Sequence, residues 1–241
     1  MKIKFSVDEI QKHRAIIFLI VLISTVVYAN TFFNKFVWDD KYFIVENLEI
    51  RDLSNIPNFF TRGIMGVYRP IRTIFYALSY QVWGLNPPGY HLNALFVHIL
   101  ATILIYFIVD SILKKRIVSV VTTLLFATHP IHTESITFIT TSFDEIGVVF
   151  FLTSFYLYIK THEQQKNNWF YVSSVIFFIL AAFTYEITLV LPFMIILYEF
   201  CFFQKRSLEK SKILYSLFLS CLHLSPHQVL YNRTRIACSC T

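Results

Sequence analysis

Charge is what this chain has little of. Asp, Glu, Lys and Arg make up 15% of its 241 residues, against about a quarter of an ordinary soluble domain. With 56% hydrophobic and 18% aromatic residues, the polar surface is too small to cover a water-soluble globule. The cysteines also lack a pattern. Cys201 and Cys221 lie in apolar stretches, where cysteine packs as a small hydrophobe; Cys238 and Cys240 lie in a polar tail. None has zinc-ligand spacing, and they do not read as a disulfide framework. No basic stripe with interleaved aromatics appears on a polar segment, so the net charge of +6 is not read as a nucleic-acid footprint. No internal repeat and no low-complexity tract stands out.

What remains is an alternation. Six charge-poor apolar runs are separated by loops whose charges differ in kind. Cations collect on one side: Lys2, Lys4, Lys12 and Arg14; Lys114, Lys115 and Arg116; Lys160 and Lys166; Lys205, Arg206 and Lys210. Carboxylates and histidines collect on the other: Asp39, Asp40 and Glu46; His129, His132 and Glu134; Asp144 and Glu145; Glu186. This predicts an all-α, polytopic membrane bundle whose basic loops and N-terminus face the cytoplasm. Residues 15–33 are long enough to cross a bilayer and too long for a cleaved signal. Residues 34–90 form a long first extracytoplasmic loop, within which 70–83 reads as an amphipathic helix along the membrane. Further spans are expected at 91–113, 117–127, 146–159, 169–183 and 187–203, with a seventh at 213–224. The transmembrane domain is taken as 1–224 and residues 225–241 as a tail of unassigned function, in which Asn232-Arg233-Thr234 matches a glycosylation sequon. The membrane is either the cell membrane or the endoplasmic reticulum.

Four groups could carry chemistry on the acidic side. Asp39 and Asp40 follow the first span; neighbouring side chains diverge on a helix or strand. One could therefore act as a general base while the other orients a loop or binds a cation, and a solvated or helix-capping pair is the bland alternative. Tyr68-Arg69-Pro70 puts proline at the first position of a helix, with Arg69 and Arg72 beside its N-terminus. Two guanidiniums there could cradle a phosphate or snorkel to lipid headgroups. His91 and His98 lie seven residues apart, on one side of the second span; His98 is expected to pack with a hydrogen bond to a neighbouring helix. His129, His132 and Glu134 crowd one turn. Imidazole with carboxylate suits zinc or manganese, so Asp40, His132 and Glu134 form the candidate metal set, although HExxH spacing is absent. Asp144, Glu145 and Glu186 begin the fourth and sixth spans, where the helix dipole favours acidic residues anyway.

Taken together, Phe36-Val37-Trp38-Asp39-Asp40, Asn47, Tyr68-Arg69-Pro70, the Gly84–Pro88 stretch, Tyr90-His91-Leu92-Asn93 and His129-Pro130-x-His132-Thr133-Glu134 resemble, in order, the transmembrane O-mannosyltransferases that carry tetratricopeptide repeats. More broadly they resemble the GT-C glycosyltransferases, which include the protein O-mannosyltransferases. The likeness covers residues 15–203. It implies transfer of a sugar, mannose first among the candidates, from a polyprenyl-phosphate donor to a hydroxyl on a protein or glycan acceptor. Asp39 or Asp40 would be the base, Arg69 and Arg72 would hold the donor phosphate, and His91, His129, His132, Glu134, Asp144 and Glu186 would line the second acidic turn. The chain departs from the pattern at Tyr185 and Phe143, where relatives tend to carry Lys and Arg, and in having fewer spans and no repeat domain.

Two other readings stand beside this one. The first is an incomplete or inactive portion of such an enzyme. The second is a polytopic lipid-binding or transport protein, which would keep ionisable groups at mid-membrane; here the charges read as lying at the ends of spans. Membrane lipid is the expected surrounding partner, nucleic acid is not expected, and divalent-cation dependence is left open.

Overall fold

The computed structural model describes residues 7–64, 66–163 and 168–202, with side chains from residue 13 onward. All of the elements described are helical: α1 (Val7–Tyr28), α2 (Ile56–Phe59), α3 (Pro70–Trp83), α4 (Pro87–Leu113), α5 (Arg116–Thr128), α6 (Thr133–Thr137), α7 (Ile139–Glu163), α8 (Asn168–Thr184) and α9 (Leu191–Phe202). Three stretches are long and apolar enough to cross a membrane, namely His13–Phe33, Pro87–Leu113 and Ile139–Glu163. Helices α5 and α8, at 13 and 17 residues, are shorter than the about 20 residues of a perpendicular crossing. Each of the six expected apolar runs is helical over its described residues, the sixth being a 3-10 turn, Glu186–Val190, followed by α9. The expected seventh, 213–224, the sequon, Cys221, Cys238, Cys240 and the tail lie outside the described residues.

Local chemistry sets the boundaries. Pro70 and Pro87 occupy first helical turns, where a missing N–H costs nothing. Gly84 ends α3 with φ +58, and Lys114 ends α4 in the left-handed region while its N–H reaches Asp110 O. Large apolar side chains on the long helices face outward, among them Phe18, Val26, Phe96 and Leu125, each at least 60% exposed. A water-facing protein would not carry so many on its helices; a bilayer accommodates them.

The bundle packs through small residues and aromatic wedges. Helices α7 and α8 lie close enough for Ser154 and Ser174 to exchange hydrogen bonds, each hydroxyl donating to the other's backbone carbonyl at 2.7 and 2.9 Å. Close approach through small polar residues is the usual way helices associate in lipid. One core joins α4, α7, α8 and α9 around Ala101, Phe155, Phe178 and Ile195. A second lies toward the opposite end, where Ile44, Ile50, Phe59, Tyr76, Tyr90 and Phe143 bind the long loop and α3 to α4 and α7. The loop is therefore a packed cap of short helical turns.

Two expectations need correction. Helix α7 begins at Ile139, seven residues before the expected start at 146, so Asp144 and Glu145 sit inside the helix rather than at its head. The cause is a distant cap: the backbone N–H of Thr140, in the first turn, donates to Asp40 Oδ1 at 2.8 Å. Charges are also not confined to span ends. His98 Nδ1 pairs with Glu145 Oε1 at 3.1 Å, both buried; nearer the helix ends, Glu199 is enclosed with Tyr158 and His162 at 2.7 and 2.6 Å. The His98 contact is the expected interhelical hydrogen bond.

Candidate active site

The two neighbouring aspartates have opposite surroundings. Trp38 takes φ +46, an uncommon conformation for a bulky residue; the chain turns sharply there and a π-helical turn follows at Lys41–Val45. Asp40 is fully buried. Its Oδ2 accepts from Val37 N at 3.0 Å, and its Oδ1 accepts from Thr140 N and Thr140 Oγ1 at 2.8 and 2.6 Å. Asp39 is exposed, and among the described residues no hydrogen bond is made to its carboxylate. Asp40 is thus a tie between the loop and α7, and Asp39 is the carboxylate open to an incoming group.

The arginines meet the same helix one turn further on. Arg69 Nη1 donates to both oxygens of Asp144 at 2.8 Å, and Arg72 Nη1 donates to Asp144 Oδ1 at 2.8 Å. Arg69 also makes a fork to Glu186, with Nε to Oε2 at 2.7 Å and Nη2 to Oε1 at 2.5 Å. Arg72 is only 4% exposed, and its Nε has no hydrogen-bond partner among the described residues. The ring of Tyr185 lies under the Arg69 guanidinium at 4.8 Å, and Phe43 and Tyr76 lie under Arg72 at 5.0 and 5.6 Å, within cation–π range. Burial pushes the Glu186 carboxyl up, but the Arg69 hydrogen bonds and charge outweigh it and hold the group below the usual carboxylate range. Burial opposes the charge on Arg69 as well; Glu186 and Asp144 overcome it and raise its pKa.

Gly147 makes this arrangement fit. A Cβ on it would lie 2.8 Å from the Tyr185 Cβ and 3.3 Å from Thr184. Its bare backbone lets the end of α8 press against α7, which brings Tyr185 and Glu186 over Arg69.

The histidine turn keeps different company. His132 packs on Phe126 with ring centroids 4.1 Å apart and lies 5.3 Å from His98. Burial first, then the neighbouring His98 and His129, lower its pKa to about 4. His129 is exposed and accepts from Ile131 N through Nδ1 at 3.2 Å; Glu134 is exposed too. His91 is fully enclosed, with neither ring nitrogen in a well-formed hydrogen bond, so it does not line an open site. Asp40, His132 and Glu134 do not converge as a metal set: among the described residues no three His, Cys, Asp or Glu side chains are placed to hold an ion. Sequence reasoning singled out Arg69, Arg72, Asp144 and Glu186, and Tyr185 as a departure from the family pattern, but not the contacts among them. It missed Thr140 and Gly147, which no local signal in the sequence marks.

A helical membrane bundle with an exposed aspartate and a partly buried arginine–carboxylate cluster at one end defines the class. The family model for dolichyl-phosphate-mannose-protein mannosyltransferase matches residues 70–230, more than half of the chain, and the chain belongs to that family. It is 28% identical to protein O-mannosyl-transferase TMTC3 of Homo sapiens over 175 residues, 68% of this chain and 19% of that protein. It is 31% identical to TMTC3 of Mus musculus over 153 residues, 59% of this chain and 16% of that protein. Against protein O-mannosyl-transferase TMTC1 of Homo sapiens it is 30% identical over 153 residues, 58% of this chain and 17% of that protein. The matched part of the chain thus spans about a fifth or less of the length of these relatives. No solved structure matches the chain.

Proposed function

We propose that this chain carries the membrane catalytic part of a protein O-mannosyltransferase of GT-C type. In this reading it moves mannose from a polyprenyl-phosphate donor to a protein hydroxyl at the extracytoplasmic face, as a multi-pass protein with a cytoplasmic N-terminus. One observation carries the reading. Thr140 and Asp144 are four residues apart on α7 and so share a face one turn apart. The first receives Asp40 and the second receives Arg69 and Arg72, so the acidic and basic halves of the site converge on one helix.

The chemistry follows from that placement. Asp39 removes the proton of the acceptor hydroxyl, whose oxygen attacks the anomeric carbon from the face opposite the phosphate. The bond from that carbon to the phosphate oxygen breaks, and the lipid phosphate leaves with the electron pair, giving inversion. Arg69 and Arg72 stabilise the charge that develops on it. Asp40 does not touch substrate; it sets the direction of Asp39. An apolar groove of about 410 Å³ lies between α3, α4 and α7, lined by Phe75, Val82, Trp83, Phe96, Val97 and Phe150. Phe75 is one helical turn beyond Arg72, a suitable place for a polyprenyl chain whose phosphate is held at the arginines.

The test is to incubate the chain in lipid with polyprenyl-phosphate mannose and an acceptor peptide. Release of lipid phosphate by the wild type and not by Asp39→Asn is expected. Full release by Asp39→Asn would sink the assignment of the base. Binding of donor without release, by a well-folded wild type, would favour the lipid-binding reading instead.

A further inference from the structure

The cluster at the head of α3 has two guanidiniums and two carboxylates, so its formal charge is zero. An anion that enters must displace one of the carboxylates or share its partner. The carboxylates are not equivalent. Asp144 bridges both arginines and its side chain is 15% exposed; Glu186 touches Arg69 alone and is 44% exposed. Asp144 sits within a long helix, whereas Glu186 opens a short 3-10 turn between α8 and α9. Glu186 also uses the Nε–Nη2 edge of Arg69, which is an edge that receives two oxygens of a phosphate. Next to it, the buried Nε of Arg72 lacks a hydrogen-bond partner among the described residues, and a buried donor left unpaired is costly.

We propose that Glu186 is a displaceable occupant of a phosphate site, holding the Arg69 fork until a phosphate takes it. This rests on the proposed function and adds a role to it. The exchange favours the later stages of the reaction. A sugar phosphodiester carries one negative charge, the same as the carboxylate it displaces. The departing lipid monophosphate carries up to two and competes better for the fork. Glu186 therefore lowers the affinity of donor and leaving group by a common factor, and the extra charge that develops on the phosphate as the bond breaks is what favours the exchange. Glu186 is a positioning residue here, since it acts through Arg69.

The experiment is calorimetric titration of the full 241-residue chain in nanodiscs with farnesyl phosphate, with farnesol and inorganic phosphate as further probes. Glu186→Gln is expected to bind farnesyl phosphate about tenfold more tightly than wild type, with farnesol unchanged and Arg69→Gln much weaker. Inorganic phosphate should follow the same order if the headgroup alone is read. Equal or weaker binding by Glu186→Gln, at an unchanged melting temperature, would overturn the proposal and leave the phosphate site standing. Absence of binding by wild type and Glu186→Gln alike would remove the phosphate site itself and this proposal with it. Should Glu186→Gln fold poorly, Glu186→Asp, one methylene short of the fork, is expected to tighten binding and decides the matter by the same comparison.

Discussion

At the scale of the residue, the adjacent aspartates make separable predictions. Asp40→Asn keeps the shape but turns a donating NH₂ toward Val37 N or Thr140 N. The buried donors then lose an acceptor, and a loss of about 2 kcal/mol or more is expected, read as a lower melting temperature in detergent. Asp39→Asn, exposed and unpaired, should leave the melting temperature unchanged and lower transfer by about 10²–10⁴-fold, the usual worth of a general base. Equal melting losses in the two variants would contradict the division of labour. That the two would differ was legible from their adjacency; which of them is buried was not, because Asp39 and Asp40 carry the same side chain and the difference comes from Thr140, a hundred residues away. His132 gives a prediction in pH. Its folded pKa, near 4, lies below the ordinary histidine value of about 6.5. The unfolded chain therefore binds the extra proton first, so stability falls as pH drops from the ordinary value toward the folded one and the loss is complete below that. His132→Phe should flatten that part of the stability profile; an unchanged profile would show that another group causes the acid loss.

At the scale of the element, the site depends on how closely α7 and α8 cross. Gly147→Ala would drive a methyl group into the Tyr185 Cβ. Overpacking of this sort costs about 1–3 kcal/mol, and relief comes by moving the end of α8, carrying Tyr185 and Glu186 away from Arg69. The checks are the melting temperature and the coupling between Glu186 and Arg69 in a double-mutant cycle, which should shrink in the Gly147→Ala background. An undiminished coupling would show that the crossing does not set the pair. The existence of these helices was legible from apolar runs alone, and α3 was expected at the very residues it occupies, because Pro70 marks its start and the Asn86–Gly89 turn breaks the chain after it. The start of α7 was not legible. Its first turn, Ile139 to Ser142, is no more apolar than a loop, and it is held by a carboxylate from another part of the chain. Pairings such as Arg69 with Asp144 and Glu186 span 75 and 117 positions, and no periodicity reports a contact of that range.

At the scale of the whole molecule, the charges sort by end. Lys114 and Lys160 pair with Glu163 at 2.5 and 2.6 Å at the end of the bundle where α4 turns into α5. Asp39, the arginine cluster and the His129–Glu134 turn belong to the opposite ends of those helices. The alternation of basic and acidic loops was the part of the architecture most visible in the sequence, because the positive-inside bias writes orientation into composition. What composition cannot report is depth: His98 with Glu145 puts ionisable groups in the interior, where the sequence reading had kept charges at the ends. Orientation is open to direct measurement. In a chain whose native cysteines are replaced, single cysteines at the exposed positions Trp38 and Lys115 should be labelled by an impermeant maleimide from opposite sides of sealed vesicles, position 38 from the extracytoplasmic side. Labelling of both from one side would break the alternation on which the proposed site depends, since Asp39 and the Lys114–Arg116 turn would then share a compartment.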